Sequence, residues 1–279
     1  MPLRLLITQT RSELSQSLMS ALQPLLAIDD LIYFSDVTSL ESLNINCVLN
    51  CSMLDQQYPT ALAETQIISR FCRQHKIPLI HLSSYRVFSA IKKNIHNEKD
   101  QPQPISDEDK QWMIAEELSA TAEKHIILRT SWLIGPEGHN LLTQLLSGFL
   151  NGARINVHQD LRGAPTSVDD LARVLAAIIK QIHCGADNWG VMHYCSSDHC
   201  SEEEFAEQIL QHLIQYQLLT AEPSLQLIDA DEEDRSVSAI LACRRLRECF
   251  GIQGRSWRPN LLLLIKEWLA NKNKQGADS

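Results

Sequence analysis

Along the first half of the chain, short unbroken apolar runs alternate with longer stretches in which apolar residues recur every three or four positions. The runs LRLLIT (3–8), LIYFS (31–35), CVLNCS (47–52), PLIHLSS (78–84) and HIILRTS (125–131) predict β-strands. The stretches SELSQSLMSALQPLL, ALAETQIISRFCRQHK and DEDKQWMIAEELSATAE between them predict amphipathic helices. Strands separated by helices of this length pair in parallel, because each crossover returns the chain to the same end of the sheet. The expected fold class is therefore α/β, with a doubly wound parallel sheet. Ligands of such sheets lie beyond the carboxyl ends of the strands, so TQTRS, SDVTS, NCSML, SSYRVF and TSWLIG should border one crevice.

After about residue 135 the pattern changes. HNLLTQLLSGFLNGA and VDDLARVLAAIIKQI read as helices around the short run RINVH and a turn at RGAP, and WGVMHYCSS precedes the helix SEEEFAEQILQHLI. Ser201 and Glu204 have capping-box spacing at the start of that helix. The expected division is a core over 1–135 and a smaller mixed α/β lobe over 136–279, part of which returns to the core. DADEEDRSVS (229–238) reads as a surface loop, and the tail NKNKQGADS as frayed.

Composition narrows the function classes. With 279 residues, 44% of them hydrophobic, the chain can bury an ordinary core, and its longest apolar runs fall far short of the ~20 residues of a membrane span. The expected location is the cytoplasm. A formal net charge of -9 opposes an electrostatic nucleic-acid binder, and CRRLR and GRSWR read as a solvated helix face and a loop. The eight cysteines form no small-domain disulfide framework and are expected to be reduced, mostly in the core. HYCSSDHC (193–200) carries His193, Cys195, His199 and Cys200, but alternation along a buried strand argues against a metal site, and none is expected. No Gly-x-Ser-x-Gly elbow supports hydrolase chemistry.

Several stretches, in order and over nearly the whole chain, resemble the dTDP-4-dehydrorhamnose reductase (RmlD-like) family of extended short-chain dehydrogenases/reductases. That family also contains the regulatory beta subunit of methionine adenosyltransferase. The stretches are VLNCS, HLSSYRVFSA, LRTSWLIG, DLRGAPTSVDDLA, GVMHYCSS with FAEQI, and LRECFGI followed by Trp257. The resemblance implies a Rossmann-type core that binds NAD(P)H and a lobe that binds a nucleotide-sugar. In active relatives a hydride passes to a sugar ketone, a tyrosine donates the proton, a lysine four residues on lowers its pKa, and a Ser or Thr hydroxyl orients the carbonyl.

Ser84 stands at the place of that hydroxyl, but the tyrosine and lysine are missing. Aligning the end of EDKQWMIAEEL on Glu117 puts Asp109 and Met113 at those places, and aligning it on Glu116 puts Glu108 and Trp112 there. Lys110 reads as solvated surface. Tyr85 neighbours Ser84, yet consecutive strand residues face opposite ways. The family's glycines would fall at Gln9, Ser12 and Ser15, where side chains obstruct close approach to pyrophosphate. Glu13 places an anion in the first helical turn, where it is expected to satisfy the phosphate site itself. The degenerate cofactor site would consist of Thr10, Arg11, Asp36 and Asn50, and the candidates for substrate-lobe or cleft contacts are Arg129, Arg162, Thr166 and Arg235, where Ser236 replaces a family proline.

Joint loss of these elements predicts a non-catalytic pseudo-enzyme acting as a binding or regulatory subunit, with no cofactor. The alternative is an NAD(P)H-dependent reductase of a nucleotide-linked keto sugar that uses NADPH or NADH, and a third reading is a nucleotide or metabolite sensor. Expected partners are a protein partner or a second copy of the chain, and a nucleotide or nucleotide-sugar.

Overall fold

The computed structural model describes residues 2–8, 12–26, 30–34, 40, 43–55, 58–152, 154–158, 160–219, 224–228 and 238–277. The first half forms β1 (Arg4–Thr8), α1 (Glu13–Leu22), β2 (Asp30–Phe34), β3 (Cys47–Asn50), α2 (Tyr58–His75), β4 (Leu79–Ser84), α3 (Asp107–Ser119) and β5 (His125–Thr130). Every apolar run singled out there becomes a strand. The second half forms β6 (Leu133–Ile134), α4 (Leu141–Leu150), β7 (Arg154–His158), β8 (Arg162–Gly163), β9 (Thr166–Ser167), α5 (Val168–His183) and β10 (Gly190–Tyr194). It continues through β11 (Cys200–Ser201), α6 (Glu202–Gln215), β12 (Ser224–Ile228), α7 (Arg244–Phe250) and α8 (Arg258–Ala277).

One six-stranded sheet has the order β10-β5-β4-β3-β1-β2, with all neighbours parallel. The chain starts inside the sheet at β1, runs to the edge at β2, then crosses to β3 and proceeds outward the other way. This reversal between β1 and β3 opens the crevice of a doubly wound Rossmann-type sheet. The sixth strand comes from the second half: β10 pairs with β5 from Gly190 opposite Ile126 to Tyr194 opposite Thr130.

Side-chain alternation assigns the helices to the two faces. Leu5 and Ile7 of β1 join Leu18 and Leu22 of α1, Leu171 and Leu175 of α5 and Phe250 of α7 in one cluster. Leu6 points the other way, and with Val48 and Leu79 it meets Ile68, Phe71 and Cys72 of α2. Covered on both faces, β3 and β4 are buried at every position, which is why their sequences read as unbroken rather than alternating runs.

The second lobe has its own core. Leu142, Leu146 and Phe149 recur at helical spacing on α4 and pack with Phe205 and Ile209 of α6, Leu261 and Ile265 of α8, and Trp257. The expected capping box forms: Ser201 Oγ accepts the Glu204 N–H at 3.0 Å, and the Glu204 carboxylate accepts the Ser201 N–H at 2.8 Å. Two expectations change. The RGAP segment is not a simple turn, since β8 and β9 flank Ala164 and Pro165, pairing with β11 and β6. The tail expected to fray continues α8 to Ala277, with Lys274 in the last turn favourable to the helix dipole.

Candidate functional site

Strand β4 stops at Ser84, whose Oγ accepts the Arg86 N–H at 3.3 Å and caps a 3-10 turn over Tyr85–Phe88. That turn cancels the strand alternation which placed Tyr85 opposite Ser84. Instead both residues border one cleft of about 390 Å³ at the carboxyl ends of β4 and β5. Trp112 of α3 and Trp132 after β5 supply aromatic walls, and His158 and Glu202 reach the cleft from the second lobe. These last four are the residues that sequence reasoning missed as site residues. Trp112 stood in one of the two registers, but His158 and Glu202 carry no motif and meet only through the fold, where the His158 N–H donates to Glu202 Oε2 at 3.1 Å.

The cleft perturbs its titratable groups. Burial pushes the Tyr85 hydroxyl above its usual pKa; the adjacent Arg86 guanidinium opposes this, the Asp109 carboxylate adds to it, Trp132 lowers it and Glu202 raises it. Arg86 is itself held, donating from Nε to Asp109 Oδ1 at 2.6 Å and from Nη2 to Glu108 Oε2 at 3.1 Å. Burial also raises the Glu202 carboxyl, against the backbone N–H and the ring of His158. The wall thus offers two hydroxyls, a carboxyl that holds its proton more readily than usual, and two indoles. Such a set can orient a carbonyl, deliver a proton and stack a flat ring.

Three predicted site residues are committed elsewhere. Arg129 is buried and forms a two-point pair with Glu116, to which Ser83 Oγ also donates at 2.6 Å; its guanidinium lies 4.8 Å from the Phe88 ring centre. It is a core residue and not a cleft contact, because a charge on a strand buried from both sides requires an internal partner. Thr166 is buried too, donating from Oγ1 to the Ala164 carbonyl at 2.9 Å and accepting the Ser196 N–H at 3.1 Å. The Asn50 side chain donates to Thr65 Oγ1 at 3.0 Å and accepts from Ser52, so it organises the turn after β3. Arg162 is exposed, 3.8 Å from the Glu204 carboxylate. Thr10, Arg11, Asp36 and Arg235 lie outside the described residues. Of the two registers on α3, the one ending at Glu116 puts Trp112, which lines the cleft, in the lysine's place and Glu108, which faces solvent, in the tyrosine's.

The start of α1 departs from expectation. Ser12, not Glu13, caps the helix, its Oγ accepting the Ser15 N–H at 3.2 Å. The Glu13 carboxylate turns to the loop after β6 and accepts the Gly138 N–H at 3.0 Å. Gly138 has φ +73°, and a Cβ there would come within 2.7 Å of the Leu14 backbone nitrogen, so only glycine lets this loop lie against the helix. Glu13 is thus drawn to one side of the helix start, and the cleft runs from Leu14 and Leu54, beside the β1–β3 reversal, to Ser84. Among the described residues, no group of three His, Cys, Asp or Glu is arranged to hold a metal ion, and His193 is fully buried on β10.

Comparison with known proteins places this geometry in a family. The RmlD substrate binding domain family matches residues 54–270. A dTDP-4-dehydrorhamnose reductase of Aggregatibacter actinomycetemcomitans is 27% identical over 285 residues, covering 91% of this chain and 96% of that protein. The crystal structure of dTDP-4-dehydrorhamnose reductase from Bacillus anthracis in complex with NADP superposes with a TM-score of 0.76 at 20% identity, covering 96% of this chain and 99% of the other. The dTDP-glucose 4,6-dehydratase of the same organism, in complex with NAD, also reaches 0.76 at 13% identity, covering 97% and 98%. A cleft that meets the carboxyl ends of a Rossmann-type sheet, together with a family match over most of its length, establishes that the chain belongs to the RmlD substrate binding domain family.

Proposed function

We propose that this protein is an NAD(P)H-dependent reductase of a nucleotide-linked keto sugar, working with a rearranged proton donor. The observation that carries the reading is the pair Ser84 and Tyr85, whose side chains border one cleft because the chain leaves the strand between them. Leu14, Leu54 and Ser84 would flank the cofactor, with Thr10, Arg11 and Asp36 the candidates near its phosphates and adenine. When bound, a reduced nicotinamide supplies the hydride. Ser84 Oγ donates a hydrogen bond to the sugar carbonyl and orients it. Tyr85 gives its proton to the oxygen as negative charge develops there, and Arg86 partly offsets the burial that makes that proton harder to release. Trp112 and Trp132 exclude water and offer flat faces to the sugar or base.

The test is NADPH consumption with a dTDP-linked 4-keto-6-deoxy sugar, repeated with Ser84→Ala and Tyr85→Phe. Turnover lost in both variants supports the reading; turnover retained by both overturns the assignment of roles.

A second reading, binding without turnover as a sensor or regulatory subunit, is favoured by one observation: Trp112, on the cleft wall, stands where the register ending at Glu116 calls for the lysine. Thermal stabilisation by a nucleotide-sugar with no NADPH consumption would support it over the first.

A further inference from the structure

Cys195 follows β10 and Cys243 immediately precedes α7, and their Sγ atoms lie 3.6 Å apart across 48 positions of chain. Both sulfurs also lie beside one carbonyl, that of Leu241, at 3.3 and 3.5 Å. Cys195 is buried while Cys243 is half-buried, so the pair has an inner and an outer sulfur. A disulfide requires about 2.05 Å between sulfurs. Rotation of the Cys243 side chain can supply the approach at little cost, because that residue opens α7 without a side-chain capping bond.

The surroundings favour one thiolate shared by the two sulfurs. When one proton leaves, the remaining S–H donates to the charged sulfur; this bond, opposed by burial and aided by His199, draws the Cys195 thiol below the usual thiol range. The thiol that keeps the proton is pushed up for the same reason.

We propose that Cys195 and Cys243 form a reversible dithiol–disulfide pair, closed by a hydroperoxide and reopened by a small thiol. Transfer of the shared proton from Cys243 to Cys195 across the S–H···S contact brings the charge to the outer sulfur; Cys243 then attacks one oxygen of hydrogen peroxide, breaks the O–O bond and becomes a sulfenic acid as hydroxide departs. Cys195 then attacks the Cys243 sulfur, the S–O bond breaks, and the Cys195 proton and the departing hydroxyl end as water. Two thiols and one peroxide yield one disulfide and two waters, the sulfurs being oxidised and the peroxide reduced. The bond staples the carboxyl end of β10 to the segment that enters α7. Cys195 packs in the same cluster as Met53, Val87 and Trp112, so the staple would join a core cluster that also holds a residue of the cleft wall.

This inference does not depend on the reductase reading, and its test needs no substrate. The reduced full-length protein is exposed to hydrogen peroxide, its remaining thiols are alkylated under denaturing conditions, and it is mapped by peptide mass spectrometry without reduction. The expected result is a linked peptide pair containing Cys195 and Cys243, an intact mass lower by about 2 Da that dithiothreitol restores, and a thermal midpoint raised by about 5 °C or more. Exposed Cys184 serves as the internal control for unassisted thiol oxidation. Recovery of Cys195 and Cys243 as alkylated thiols, or oxidised beyond sulfenic acid without a link, at peroxide levels that oxidise Cys184, overturns the proposal. Cys195→Ser and Cys243→Ser should each abolish the link; should either variant misfold, the map of the unmodified sequence still decides.

Discussion

Arg129 and Glu116 meet through two hydrogen bonds, Nε to Oε1 at 2.8 Å and Nη2 to Oε2 at 2.6 Å, with side chains only 3% and 6% exposed. The pair joins β5 to α3 below the cleft, and removing one partner strands the other as a buried charge. Arg129→Met should therefore lower the unfolding free energy by about 3–5 kcal/mol. Adding Glu116→Leu should recover part of that loss, because no unpaired charge then remains. Urea unfolding of the three proteins checks this, and a double variant less stable than the single one would rule it out.

Acid sensitivity should come from two histidines. Burial drives the His81 ring to a pKa of about 3, and burial followed by the charge of Arg129 does the same to His193. Both are neutral in the folded protein but titrate near 6.5 in the unfolded chain. Between these values the unfolded chain takes up protons that the folded chain refuses. Stability contributed by the neutral rings is thus complete above about pH 6.5 and falls by ~1.4 kcal/mol per pH unit per histidine on acidification toward pH 3. Unfolding curves at pH 7, 6 and 5 should show that slope, and His81→Gln or His193→Gln should reduce it.

The proposed proton donor has its own pH signature. Because Tyr85 is shifted upward, it remains protonated throughout the neutral range, and the reductase rate should show no loss from this group on the alkaline side of neutrality. Tyr85→Phe should lower kcat by roughly 10²–10⁴-fold while leaving the affinity for the nucleotide-sugar nearly intact. An alkaline limb near pH 7 would point to a different donor.

Gly163 fixes one wall of the cleft. A Cβ at this position would overlap the Trp132 ring, so Gly163→Ala must displace the indole. The substitution should cost about 1–3 kcal/mol of stability and weaken nucleotide-sugar binding by calorimetry. Unchanged binding would mean that Trp132 does not touch the ligand.

The fold was legible wherever burial on both faces writes itself into the sequence. The runs that became β3, β4 and β5 each hold two or three consecutive apolar residues, Cys-Val-Leu, Leu-Ile and Ile-Ile-Leu, and the Ser201–Glu204 box marked the start of α6 by local chemistry alone. The site was less legible, for reasons that are also physical. Arg129 resembles a functional strand-end residue until Glu116, 13 positions earlier on α3, is seen to hold it. The placing of Tyr85 depended on where β4 ends, a detail that strand alternation assumes but does not supply. His158 and Glu202 lie 44 positions apart and become neighbours only through the second lobe.

The late return of the chain to the sheet bears on how the protein must be made. Strand β10 and helix α7 complete the sheet layer, yet α6 and β12 of the other lobe lie between them in the sequence. While the ribosome has delivered only the first 135 residues, the outer edge of β5 has no partner and α5 is not there to cover its face. An unpaired, apolar edge of that kind recruits strands from other nascent copies. Productive folding therefore has to wait until almost all of the polypeptide has emerged, and separate expression of residues 1–135 should yield aggregates rather than a folded module.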